Sequence, residues 1–240
     1  MSAFARATAV DALGDGAWRA TCEPAWNTQL GPNGGYLAAI ILRAMTAELG
    51  DPAREARSLS TISARLSQDG ALCVIAVGAF AVDFRGAMDY GAAPPSMPAP
   101  AEVERLPPVA IVPITEHFEM RPTIGAPLYA GAPESTSGGW LRFADPQPLD
   151  APALAMFADA WWPSPLPRLT RPVVAPTIDL TVHFRAPAAA AAIVEEPVLA
   201  AFRSSTASEG FFEEDGELWS ADGVLLAHSR QLALLVDGGR

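Results

Sequence analysis

The chain contains no lysine; all sixteen of its basic residues are arginine. That excludes a Schiff-base lysine and a phosphate-loop lysine. Charge is sparse, at 18% of residues, and acidic side chains outnumber basic ones 27 to 16, giving a net charge of −11. This sign argues against nucleic acid and against anionic membrane surfaces as partners. Only two cysteines occur, Cys22 and Cys73, far apart and outside any CxxC context. They read as buried hydrophobes in a reducing compartment, not as a disulfide or metal pair. The three histidines, His117, His183 and His228, lack metal-ligand spacing. GxSxG, GxxxxGK[ST] and HExxH motifs are absent. No apolar run approaches the ~20 residues of a membrane helix, and no basic-then-apolar leader pattern is visible. The expectation is a cytoplasmic protein with no membrane insertion, no metal and no cofactor.

What is present is a phrase said twice. Residues 69–82 begin Asp-Gly-Ala-Leu-Cys-Val, and residues 222–235 begin Asp-Gly-Val-Leu-Leu-Ala. Each is an Asp-Gly turn followed by an apolar strand. In this pairing Gly78 stands opposite Gln231. A duplicated fold whose copies differ by one polar side chain suggests that only the second copy does chemistry.

Half of the 240 residues are apolar, enough for one large domain or two small ones. Residues 94–113 hold seven prolines and read as an extended linker. On each side lie strands and one apolar helix. In the first half, Gly16–Cys22 reads as a strand. Asn33 then caps a helix over Tyr36–Leu49, which Gly50 ends. That helix is apolar nearly all round, so it is expected to be enclosed. Ser58–Leu66 and Ala71–Val82 read as a hairpin. In the second half, Glu116–Arg121 and Gly139–Phe143 read as strands, followed by a helix over Ala151–Trp162 capped by Asp150. Strands over Thr177–Arg185, Val198–Ser204, Phe211–Trp219 and Val224–Val236 complete it. A sheet curled around one long helix is the hotdog arrangement, and two in tandem make a double hotdog of α+β class. From helix end to Asp-Gly turn the first half has about twenty residues and the second about sixty, so half one is short by about two strands. An unpaired edge is a hazard for a sheet, which favours a stretch omitted between Gly50 and Ser58 over a true truncation.

Asp159 sits in Leu-Ala-Met-Phe-Ala-Asp-Ala-Trp-Trp, an apolar setting in which a carboxylate is costly to bury unless paired or used. Burial raises its pKa and makes it a better general base; the plainer reading is that it marks the helix's one solvated face. Alternation places Thr177, Asp179, Thr181 and His183 on one face of their strand, an ordinary half-exposed pattern for the last three. Gln231 is either a sheet-edge residue or a functional one. Gly34 and Gly35 either bring helix-start N–H groups to a ligand or simply cap a helix in tight space.

The chain resembles the acyl-CoA thioesterase II family. The resemblance rests on Pro-Asn-Gly-Gly-Tyr-Leu (32–37), Leu-Ser-Gln-Asp-Gly (66–70), Trp-Leu-Arg (140–142), Ala-Asp-Ala (158–160), Thr-Ile-Asp-Leu-Thr-Val-His-Phe (177–184) and Asp222 through Gln231. It implies a double hotdog with an N-terminal unit over 1–92, a linker over 93–114 and a site-bearing unit over 115–240. It also implies a catalytic set of Asp159, Thr177 and Gln231, with Gly34, Gly35 and Tyr36 near an acyl-CoA substrate. The expected reaction is hydrolysis of the thioester to free acid and CoA by a water that Asp159 deprotonates. Backbone N–H groups, with the Gln231 amide, would face the carbonyl oxygen, and surface arginines the CoA phosphates. Association into a homo-oligomer is expected. The alternative is a non-catalytic acyl-CoA or lipid-binding hotdog or scaffold subunit; a hydratase is disfavoured, since Asp159 lacks a suitably placed His.

Overall fold

The computed structural model describes residues 1–50, 59–81, 86–186 and 190–236. A short helix α1 (Ala3–Ala7) and a small hairpin, β1 (Asp11–Gly14) with β2 (Ala17–Arg19), open the chain. The strand expected over 16–22 is therefore only three residues long. Helix α2 spans Gly34–Leu49. The Asn33 side chain accepts from the Tyr36 N–H at 3.0 Å, and Gly50 ends the helix at φ 65°. The helix buries Gly35, Tyr36, Ala39, Ile40, Ile41 and Met45, while Thr46–Glu48 are exposed.

Strands β3 (Leu59–Gln68) and β4 (Ala71–Ala81) form an antiparallel ribbon. Asp69 and Gly70 turn it with φ of 51° and 81°, the left-handed pair that a two-residue hairpin demands. Ser58, Val82 and the proposed omission between Gly50 and Ser58 lie outside the described residues. The ribbon rests one face on α2 and leaves the other open, with Ile75 and Val77 64% and 72% exposed. This corrects the cysteine expectation. Cys73 alternates onto the open face and Cys22 follows β2 in an exposed segment, so both are exposed thiols.

The second half is one six-stranded antiparallel sheet in the order β5 (Phe118–Ile124), β6 (Thr136–Phe143), β8 (Val198–Ser208), β9 (Phe211–Trp219), β10 (Leu225–Leu234), β7 (Thr177–Phe184). Its inner face packs on helix α3 (Ala151–Phe157) and on α2, in a core that includes Tyr36, Ile40, Phe118, Leu141, Leu154, Phe157, Phe202 and Leu226. The proline-rich segment straps the outer face. Met97 and Val103 cover Trp140, Leu199 and Trp219, and Pro98 accepts the Trp140 indole N–H at 2.8 Å. No helix among the described residues is long and apolar enough to cross a membrane.

Helix α3 ends five residues earlier than the sequence pattern predicts. The N–H groups of Asp159 and Ala160 bond three residues back, to Met156 and Phe157, tightening the chain out of the helix. Here α2 and α3 meet closely. A Cβ on Gly35 would lie 2.8 Å from the Ala155 carbonyl oxygen and 2.9 Å from that of Met156, so only glycine fits.

Candidate active site

Asp159 lies just past α3, against the first turn of α2. The Asn33 amide donates to its backbone carbonyl at 2.8 Å, and the Gly35 N–H donates to Oδ2 at 2.9 Å. A Cβ on Gly34 would meet Oδ2 at 3.0 Å. The helix N-terminus therefore holds the carboxylate, which suits the positive end of its dipole. This alters the expectation for the glycine pair: the Gly35 N–H is occupied by Asp159 and does not face a substrate carbonyl. Tyr36 is likewise displaced from a binding role. It is fully buried, stacks on Trp26, and donates its hydroxyl proton to the Ala7 carbonyl at 2.8 Å.

Thr177 reaches the same place by an irregularity. Strict alternation groups it with the exposed Asp179, but the β7–β10 register shifts between Leu232 and Ala233. The bulge leaves Ile178 half-exposed and turns Thr177 inward. Its hydroxyl lies 3.1 Å from Gln231 Oε1 and 3.4 Å from Asp159 Oδ1. One proton cannot serve both acceptors, and the shorter bond goes to Gln231. The three residues that the family resemblance singled out thus stand together, drawn from the end of α3, the start of β7 and the middle of β10.

A fourth member has no counterpart in the sequence reading. Glu214 on β9 stands directly across from Gln231, 4% exposed against 6% for Gln231. Its Oε1 accepts the Gln231 Nε2 at 2.7 Å, and its Oε2 accepts the Ser164 backbone N–H. Period-two alternation held the signal, since it groups Glu214 with Phe212 and Leu218 on the core face.

Electrostatics follow from depth. Burial pushes the Asp159 carboxyl up to about 6, although the Gly35 and Gly34 N–H groups and the Asn33 side chain pull against it. Burial also pushes Glu214 up to about 7, against hydrogen bonds from Ser164 and Gln231, with the Asp159 charge adding to the rise. Asp159 and Thr177 remain half-buried while Gln231 and Glu214 are buried, so the cluster is open on the Asp159 side. A base with a pKa near 6 beside a hydroxyl can orient and deprotonate a water. Among the described residues no group of His, Cys, Asp and Glu is placed to hold a metal ion.

Residues 91–235 match the family model for the acyl-CoA thioesterase C-terminal domain. No curated protein matches the chain. A hot dog fold protein of unknown function from Alicyclobacillus acidocaldarius is 28% identical, with a TM-score of 0.88 over 98% of both chains. An acyl-CoA thioesterase II from Mycobacterium marinum is 20% identical, with a TM-score of 0.74 over 99% of this chain and 100% of its own. These likenesses give the hotdog fold, and the family match covers more than half of the sequence. The chain therefore belongs to the acyl-CoA thioesterase family of thioester hydrolases.

Proposed function

We propose that the protein hydrolyses acyl-CoA thioesters to free acid and CoA, with Asp159 as general base and Thr177 and Gln231 as its partners. The observation that carries this reading is the convergence of those three side chains around a carboxyl raised to about 6 on a half-open surface. Water donates one proton to Asp159 and the other to the Thr177 oxygen, which aims its lone pair at the thioester carbon. Asp159 takes the first proton as the C–O bond forms. The tetrahedral intermediate then collapses by breaking the C–S bond, and the thiolate of CoA leaves with the proton that Asp159 collected. No covalent enzyme intermediate and no metal enter this scheme.

The finer architecture belongs to the same proposal. Residues 1–92 and 115–240 are two hotdog-derived units joined by 93–114, and the first contributes a helix and a ribbon where the second contributes a full sheet. The helix N-terminus of the first unit braces the base of the second. Free thiols at Cys22 and Cys73 suit a cytoplasmic setting. A thiol-release assay over a series of acyl-CoA chain lengths tests the activity. Release of CoA from at least one chain-length class is expected; binding of acyl-CoA without release across the series would contradict the proposal.

A further inference from the structure

We propose that Glu214 is a positioning residue that sets the direction of the hydrogen bonds running through Gln231 and Thr177, and so decides whether Asp159 is free to take a proton from water. The inference rests on Asp159 being the base. An ionised carboxylate can only accept hydrogen bonds. Glu214 Oε2 holds the Ser164 N–H, so Oε1 compels Gln231 to present its Nε2. The Gln231 Oε1 then faces Thr177 and accepts the hydroxyl proton. With its single proton directed away, Thr177 leaves Asp159 Oδ1 available as the base.

Adding a proton to Glu214 reverses the chain. Ser164 still occupies Oε2, so the new O–H lies on Oε1 and donates to Gln231. The amide turns over, its Nε2 donates to the Thr177 oxygen, and the Thr177 proton passes to Asp159 Oδ1. A carboxylate that accepts an extra hydrogen bond is a weaker base. Asp159, at the end of α3, is the charged group facing Glu214. From β10 it meets Gln231, and from the segment after α3 the uncharged Ser164. Its strand neighbours Glu213 and Asp215 lie on the other side of β9, where both pair with Arg230. Burial raises both Glu214 and Asp159, so both take up protons as pH falls from neutrality and the reversal accompanies the loss of the base.

Glu214→Gln separates this role from simple packing, because it is isosteric and neutral. Its Oε1 must accept from Ser164, so its Nε2 faces Gln231 and fixes the reversed direction at every pH. The test is the pH profile of kcat/KM for CoA release, with kcat and KM resolved, for the wild type, Glu214→Gln, Asp159→Asn and the swap that combines Glu214→Gln with Gln231→Glu. The wild type should lose activity on the acid side more steeply than one proton allows. Glu214→Gln should lower kcat by roughly 10- to 100-fold with little change in KM, and its acid limb should become a single-proton step at lower pH than in the wild type. The swap places a carboxylate between Thr177 and the amide now carried by β9, restores the direction, and should regain about tenfold in kcat over Glu214→Gln. A wild-type plateau with a wild-type limb in Glu214→Gln overturns the proposal, as does a lowered plateau that keeps the steep limb. If Asp159→Asn releases CoA at the wild-type rate, the site itself is wrong and the relay falls with it. If Asp159→Asn is inactive while Glu214→Gln is unchanged, only the relay falls.

Discussion

Strands β4 and β10 carry the repeated phrase, yet their middles sit in opposite environments. At Gly78 a Cβ would lie 2.9 Å from the Phe80 ring and 3.0 Å from the Met45 sulfur, so the position is a tight apolar contact against α2. At Gln231 the strand meets Thr177 on one side and Glu214 on the other. The partner on the adjacent strand makes the difference: Ile62 stands across from Gly78, and Glu214 across from Gln231. The first half also reaches the proposed site, since its glycine-opened helix supplies the N–H that holds Asp159.

Several substitutions break or sharpen this contrast. Gln231→Gly, which makes β10 resemble β4, should lower kcat by roughly 100-fold, measured as thiol release from acyl-CoA. A second test concerns stability. Asp159 and Glu214 titrate higher in the fold than in the unfolded chain, so the stability tied to their protonated forms is present below about pH 4 and lost as pH rises through about 6 and 7. The wild-type unfolding free energy, measured by denaturant titration, should therefore fall from pH 5 to pH 8, and Glu214→Gln should flatten that fall by an amount on the order of 2–3 kcal/mol. Gly34→Ala presses a methyl against Oδ2 of Asp159 and should cost about tenfold in kcat, roughly 1.4 kcal/mol. The smallest effect on rate is expected for Gly78→Gln. Overpacking against Phe80 and Met45 should lower stability by roughly 1–3 kcal/mol, while thiol release at a permissive temperature stays within about twofold of wild type. A new activity in that variant would mean that the two halves are functionally equivalent.

Much of this was legible in the sequence, because local signals and tertiary structure agree over most of the chain. Asn33 and Gly50 bracket α2 as their residue types dictate, and the Asp-Gly pair at 69–70 turns its hairpin. The strand over 211–219 appears at those bounds. Three departures, in α3, at Thr177 and at Tyr36, come from contacts between distant segments. Helix α3 stops at Phe157 in a region where Asn33 and Gly35 take hold of Asp159 from more than a hundred residues away. Thr177 turns inward through a bulge that appears only when β7 pairs with β10. Tyr36 follows the glycines in sequence, but the helical rotation sends it to Trp26 and Ala7. Glu214 lay hidden among Glu213, Asp215 and Glu217, where an acidic run reads as a solvated face although its alternation carries every second residue into the core.

The central claim is that Asp159 activates water on a surface built from both halves. The most direct test compares Asp159→Asn with wild type in two measurements on one acyl-CoA: binding by calorimetry and CoA release by thiol detection. The account predicts a Kd within a few-fold of wild type and release slowed by at least about 100-fold. Release at the wild-type rate by a folded Asp159→Asn protein would contradict it.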